Sequence, residues 1–240
     1  MDIRLNRYID HTMLKPEATE ADIRRLVAEA VEYDFAAVCV NGCYVGYASQ
    51  LLADAGSTLL ATSGHDRSDM PAVAAVVGFP LGAGSTVAKI EEALVAIEEG
   101  ASEIDVVINI GAVKDCRWDY VRNEIYNLAQ ICHRSGHHPA LLKVILETCL
   151  LTDEEIVECC RICGLAGADY VKTSTGFSDG GASVEHVRLM KEACGDELKV
   201  KASGGIRTLS DAKAMLDAGA DRLGCSSSVS IMEELAKAGD

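Results

Sequence analysis

The segment Tyr170–Phe177, YVKTSTGF, sets one lysine inside a short apolar stretch and follows it with a Thr/Ser/Gly run. Lysine is seldom fully buried unless another group holds it. A desolvated lysine is also a common amine nucleophile, because burial disfavours the ammonium form and frees the nitrogen lone pair. Three other stretches repeat the pattern: EIDVVINIG (Glu103–Gly111) carries Asp105, LLKVILET (Leu141–Thr148) carries Lys143, and LKVKASGG (Leu198–Gly205) carries Lys201. Along a strand, alternate residues share a face. Asp105 then sides with Val107 and Asn109, Lys143 with Ile145 and Glu147, Lys172 with Tyr170, and Lys201 with Lys199 and Ser203. Three lysines and an aspartate on consecutive strands are costly in an apolar core unless they face one another. The competing reading has these lysines pointing outward and snorkelling between helices.

The facing arrangement has a definite chemistry. A free lysine, with a pKa near ~10.4, is neutral in only about one molecule in 2,500 at pH ~7. A second ammonium within about 4–6 Å, together with burial, pulls the value toward ~7–8. The neutral amine can then attack a carbonyl carbon and form an imine. Lys201 is the natural second cation for Lys172. Asp105 is a carboxylate able to accept and return protons.

The elements that must position these groups alternate along the chain. Strand candidates begin near residues 8, 36, 73, 103, 141, 169, 198 and 221, after a short N-terminal helical stretch. The first, Tyr8–Leu14, puts Asp10 and Thr12 on one face. Helices are expected at Thr19–Tyr33 with a Thr19–Asp22 cap, Val45–Leu52, Thr86–Glu99 with Ile90, Leu94 and Ile97 on one face, and Trp118–Arg134. Further helices are expected at Thr152–Leu165 with a Thr152–Glu155 capping box, Ser183–Ala193, Ser210–Ala218 and Ser228–Ala238. The piece after Leu52 reads as irregular, and Ser63–Pro71 as a surface loop. Apolar strands separated by helices imply a parallel sheet. Eight βα units within 240 residues fit an α/β protein with one domain over residues 1–240, a closed (β/α)8 (TIM) barrel. An open doubly wound sheet is the alternative, but no GxGxxG opens the first unit.

In such a barrel, catalytic groups sit at the C-terminal ends of the strands, and a phosphate commonly binds at the loops after strands seven and eight beside a helix N-terminus. SGGIR (Ser203–Arg207) and GCSS (Gly224–Ser227) occupy those places. Gly204, Gly205, Gly224, Ser226 and Ser227 are therefore candidate phosphate ligands, and Gly176 can join them. A plain turn is the alternative at each. Cys39, in AVCVN, faces inward under one choice of parity and otherwise fills core space.

Composition narrows the partners. The net charge of −15 argues against nucleic acid and anionic membranes, both of which need a basic footprint, while one phosphate needs only a few local donors. No apolar run reaches membrane-spanning length, and the first residues, MDIRLNRYID, lack the apolar core of a signal peptide. The ten cysteines follow no disulfide spacing and read as reduced thiols in a cytoplasmic protein. Cys159, Cys160 and Cys163 fit an apolar helix face better than a metal site. His133, His137 and His138 fit a solvated turn. No metal ligand set is expected.

The chain resembles the deoxyribose-phosphate aldolases, which are class I, Schiff-base-forming enzymes. The motifs that carry the resemblance are DHTMLKP, AVCVN, VVGFPLG, EIDVVINIG, LKVILET, YVKTSTGF and VKASGGIR, in that order between residue 10 and about residue 228. The resemblance implies reversible cleavage of 2-deoxy-D-ribose 5-phosphate to D-glyceraldehyde 3-phosphate and acetaldehyde, with no metal or organic cofactor. It implies Lys172 as the Schiff-base lysine, Lys201 as its perturbing and proton-transferring partner and Asp105 as the proton relay. Gly204, Gly205 and residues 224–227 would hold the phosphate. Asp10, Thr12, Lys143, Thr175 and Cys39 are expected to support the site. Related enzymes are commonly dimers, so a homodimer or higher homo-oligomer is expected. The chain departs from the family pattern at Gly42, where proline is frequent, at Ser228, where glycine is common, and over the long stretch 57–71. Its tail also lacks a terminal tyrosine. An imine-forming aldolase for another sugar phosphate, and a non-catalytic sugar-phosphate-binding barrel, stay open as rival readings.

Overall fold

A computed structural model of the chain describes residues 4–63, 70–134 and 139–239. A 3-10 turn, Leu5–Tyr8, leads into the first strand. The strands are β1 (Ile9–Met13), β2 (Ala37–Val40), β3 (Ala72–Val77), β4 (Glu103–Val107), β5 (Leu141–Ile145), β6 (Tyr170–Lys172), β7 (Lys199–Ser203) and β8 (Arg222–Cys225). Each pairs in parallel with the next, and β8 pairs with β1, which closes the (β/α)8 barrel. Helices α1 (Glu20–Glu32), α2 (Val45–Ser63), α3 (Thr86–Glu98), α4 (Ile110–Lys114) and α5 (Trp118–Arg134) cover the first half. Helices α6 (Asp153–Ala166), α7 (Val184–Cys194), α8 (Leu209–Asp217) and α9 (Ser228–Gly239) cover the second. The expected capping boxes at Thr19 and Thr152 are present, and Thr208 carries one of the same kind.

Three sequence expectations need correction. Helix α2 continues eleven residues past Leu52. Its polar residues do not break it, because Ser57 and Thr58 turn their hydroxyls back onto the carbonyls of Ala53 and Asp54 at 2.8 and 3.0 Å. Helix α3 packs through Lys89, Ala93 and Ala96, while Ile90, Leu94 and Ile97 lie half-buried on its flank. The small alanines let α3 lie close against the barrel. Strand β4 stops at Val107, so Asn109 is no inward strand residue. Its side chain accepts the backbone N–H of Ala112 at 3.0 Å and starts α4, which the sequence reading did not anticipate. Of the expected loop Ser63–Pro71, residues 64–69 lie outside the described residues, as do His137 and His138. His133 binds Asp169 at 2.9 Å.

Strand and helix side chains build a continuous apolar shell between barrel and helices. Cys159, Cys160 and Cys163 are buried in it, and all ten cysteines are free thiols. The barrel interior is divided. Leu14, Ala37, Cys39, Ala74 and Val76 fill the side nearest β1 to β3 with apolar groups, with Phe79 above them. The side nearest β4 to β8 is charged. No described helix is long and apolar enough to cross a membrane.

Candidate active site

Strand register sets the charged half of the interior. Asp105 on β4 stands level with Lys143 on β5, and Lys172 on β6 stands level with Lys201 on β7, which in turn is level with Arg222 on β8. Because alternate residues point inward, all five side chains enter the barrel. Glu103 has the same parity as Asp105, two residues earlier on β4, and Asp10 enters from β1. The outward-snorkelling alternative is therefore excluded: Lys143 and Lys201 are wholly buried and Lys172 is 3% exposed.

Six of these groups form a closed ring of alternating charge. Asp105 accepts from Lys143 at 2.8 Å, and Lys143 donates to Glu103 at 2.5 Å. Glu103 accepts from Arg222 at 2.9 and 3.2 Å, Arg222 donates to Asp10, and Asp10 accepts from Lys201. Lys201 completes the ring by donating to Asp105 at 2.7 Å. Around the ring each carboxylate accepts from two cations and each cation donates to two carboxylates, and Lys143 lies 3.7 Å from Asp10 as well. Lys172 stands outside the ring, and its amine donates to the same Asp105 Oδ2 at 2.8 Å.

Burial by itself would push the Asp105 carboxyl up, but Lys143, Lys172 and Lys201 hold it well below the usual carboxylate range. Asp10 is likewise depressed by Lys201, Arg222 and Lys143 against the effect of burial. Burial works against the Lys201 and Lys143 ammoniums, yet the carboxylates around each push both above the ordinary lysine value. The ring pairs three carboxylates with three cations, so its formal charges balance.

The other expected residues divide between the two ends of this picture. Thr175, in the loop after β6, gives its hydroxyl to Glu147 and its backbone N–H to the same carboxylate at 3.3 Å. Glu147 is buried at φ +58 beyond the end of β5, so it is a loop anchor for Thr175 and not an inward strand residue. Thr12 is half-buried and gives its hydroxyl to the carbonyl of Asp10 at 2.9 Å. With Ser226, Ser227 and His11 it lines a cleft of about 220 Å³ between α1 and α9. Cys39 faces inward in the apolar half, where burial raises its thiol above the ordinary range.

The glycine loops converge above Lys172 and Lys201. Gly204 has φ +85, and a Cβ there would lie 3.1 Å from Gly181 Cα and 3.5 Å from Gly176 Cα. Gly224 lies beside Lys201, and a Cβ on it would meet Ser203 Cβ at 2.9 Å and Lys201 Cε at 3.2 Å. Gly205 has φ +82 with open space where its Cβ would be. Ser226 and Ser227 precede α9, and the buried Ser228 hydroxyl donates to the Cys225 carbonyl at 3.0 Å, which secures the turn. Ser174, next to Gly204, has a buried hydroxyl with no partner among the described residues.

Glu103, Arg222, Glu147 and Ser174 were not singled out from the sequence. For Glu103 a signal existed: it lies two residues before Asp105, which parity had already set on an inward face. The αL bend at Glu147 and the orphan hydroxyl of Ser174 leave no such trace.

A lysine amine and a shared carboxylate at the C-terminal end of a closed (β/α)8 barrel are the equipment of a barrel enzyme suited to amine chemistry. Residues 5–232 match the DeoC/LacD family aldolase, and the chain belongs to that family. It is 50% identical to the deoxyribose-phosphate aldolase of Clostridium novyi over 231 residues, 96% of each chain. It is also 50% identical to that of Thermococcus gammatolerans, over 97% of this chain and 96% of the relative. A solved tetrameric deoxyribose phosphate aldolase from Aeropyrum pernix superposes with a TM-score of 0.85 at 33% identity, covering 98% of this chain and 92% of the other.

Proposed function

We propose that the protein is a class I aldolase that reversibly cleaves 2-deoxy-D-ribose 5-phosphate to D-glyceraldehyde 3-phosphate and acetaldehyde. The observation that carries the residue roles is Asp105 Oδ2, which accepts from both Lys172 and Lys201. One carboxylate oxygen thus touches the prospective nucleophile and the prospective proton donor together.

In the cleavage direction the neutral Lys172 amine attacks C1 of the open-chain sugar. Loss of water gives an imine, and the imine, once protonated by Lys201 through Asp105, is the electron sink. The C3 hydroxyl loses its proton to a water held by Asp105 and Lys201. The C2–C3 bond breaks, its electron pair moves into the imine as an enamine, and glyceraldehyde 3-phosphate leaves. Protonation of the enamine at C2 and hydrolysis release acetaldehyde and the free amine. Backbone N–H groups at Gly176, Gly204 and Gly205, with the Gly224–Ser227 turn and the N-terminus of α9, hold the phosphate. The buried, unpartnered Ser174 hydroxyl beside Gly204 supports a polar ligand there. Lys143 and Asp10 hold Asp105 and Lys201 in place.

The relatives' names favour this substrate over another sugar phosphate. Ten free thiols support a reducing, cytoplasmic setting, and the tetrameric relative supports a homo-oligomer. The test is to incubate the protein with acetaldehyde and borohydride and to map the product by mass. A reduced adduct on Lys172 is expected. An unmodified Lys172 would overturn the aldolase reading.

A further inference from the structure

Glu103 and Arg222 are the first residues of β4 and β8; Glu103 bonds Lys143 and Arg222, and Arg222 bonds Glu103 and Asp10. Neither is bonded to Lys172, whose carboxylate partner is Asp105. We infer that Glu103 and Arg222 are positioning residues for the reaction, which set the proton occupancy of Lys172 by keeping the buried ring electrically neutral. This rests on the imine chemistry proposed above.

The charge count carries the inference. The ring holds three carboxylates (Asp10, Glu103, Asp105) and three cations (Lys143, Lys201, Arg222). It is neutral before Lys172 is considered, so a proton on Lys172 is a net charge of +1 inside a closed barrel. Such a charge is disfavoured away from water. Lys172 can relieve it by releasing the proton, since its one carboxylate partner, Asp105, already accepts from two ring lysines. The ring members cannot do so without breaking two contacts each. The ordered ring also carries the influence of its far side: Arg222 acts on Lys172 through Glu103, Lys143 and Asp105 in turn.

No other group upsets the count. From β1 the ring is faced by Asp10, and from β2 by Cys39, whose buried thiol is uncharged. Strand β3 contributes the uncharged Ala72, Ala74 and Val76. Tyr170 on β6 presents a phenol. Lys199 at the start of β7 is exposed, with its amine 5.5 Å from the Tyr170 ring. Glu147 is turned to Thr175 in the loop above.

Two substitutions then act in opposite directions. Arg222→Met leaves the ring at −1, so Lys172 keeps its proton to higher pH. Glu103→Gln leaves the ring at +1 and drives the proton off at lower pH. An uncompensated charge about 10 Å away, at an effective dielectric constant of about 20, moves the midpoint by about one pH unit. The double variant restores neutrality and should return the midpoint to the wild-type value. A purely structural role would lower activity in both single variants and would not move the midpoint in opposite senses.

The experiment measures borohydride-trapped acetaldehyde adduct on Lys172, by intact mass, as a function of pH. It uses the full chain and the three variants, with near-ultraviolet circular dichroism confirming the fold. The expected result is an acid limb displaced upward in Arg222→Met, downward in Glu103→Gln and not at all in the pair. Coincident limbs in wild type and Glu103→Gln overturn the inference even if Arg222→Met does not fold. Absence of any adduct in the wild-type protein would instead overturn the aldolase reading, so the two failures are distinguishable.

Discussion

Replacing Lys201 by leucine tests the core of the mechanism. Lys172 and Lys201 bind the same oxygen of Asp105 at 2.8 and 2.7 Å, so their nitrogens stand roughly 5 Å apart. At that distance and an effective dielectric constant of about 20, the repulsion between two ammoniums is about 3 kcal/mol. Lys201→Leu removes it, and Lys172 then holds its proton more firmly. The full repulsion corresponds to roughly two pH units, and relaxation with entry of water should leave at least about one. The acid limb of kcat/KM for 2-deoxyribose 5-phosphate cleavage reports the free enzyme. It should therefore move up by about one to two units, with a further loss of rate at every pH because a proton donor is gone. Asp10 keeps Arg222 and lies 3.7 Å from Lys143, so the fold should survive. An acid limb at or below the wild-type position in a folded Lys201→Leu protein would refute the repulsion argument.

Other outcomes follow from the same contacts. Lys172→Ala should abolish turnover and adduct formation with little change in melting temperature, because Asp105 retains Lys143 and Lys201; thermal denaturation beside a coupled assay checks both. Gly204→Ala places a side chain at φ +85 and 3.1 Å from Gly181 Cα, which should cost about 1–3 kcal/mol of stability by denaturant titration and raise KM for the phosphorylated sugar. The carboxyls of Asp10 and Asp105 are depressed in the folded protein, so their stabilisation is complete above the unfolded value of about 4 and is lost as pH falls below it. The melting temperature should accordingly drop on acidification below about pH 4, and to a smaller extent in Asp10→Asn, where one of the two depressed groups is gone. Lys89 and Glu124 form a second buried ion pair at 2.7 Å, outside the barrel, with Lys89 also donating to the Val107 carbonyl at 2.9 Å. Lys89→Met alone should cost about 3–5 kcal/mol in urea unfolding, and pairing it with Glu124→Leu should recover most of that loss.

Much of the fold was legible because it rests on local rules. Apolar runs alternating with 3.6-periodic segments marked all eight strands, and their spacing pointed to a closed parallel barrel. Threonine caps at residues 19 and 152 marked helix starts because the side-chain oxygen and backbone N–H lie within one turn. Where local signals compete, the reading failed. STLLAT reads as irregular, but in α2 the hydroxyls of Ser57 and Thr58 find i−4 carbonyls. Asn109 continues an alternating pattern, yet its side chain caps α4. On α3 the larger side chains suggested one buried face, and the space available against the barrel selected the alanines and Lys89 instead.

The site divides in the same way. Residue type and period-two alternation were enough to put Asp105, Lys143, Lys172 and Lys201 on inward faces, since parity along a strand is a covalent property. Which charges meet across the barrel depends on strand stagger and closure, and these arise only when eight strands pair in one register. Closure joins β8 to β1, bringing Asp10 to Lys201 across 191 positions of sequence and Arg222 to Glu103 across 119. It joins Asp105, Lys143 and Lys201 with Asp10, Glu103 and Arg222 in a neutral ring, with Lys172 as the appended amine. The lysine was visible in the sequence, but its place outside a balanced ring was decided by the tertiary structure, because charge balance is a property of the whole enclosed set.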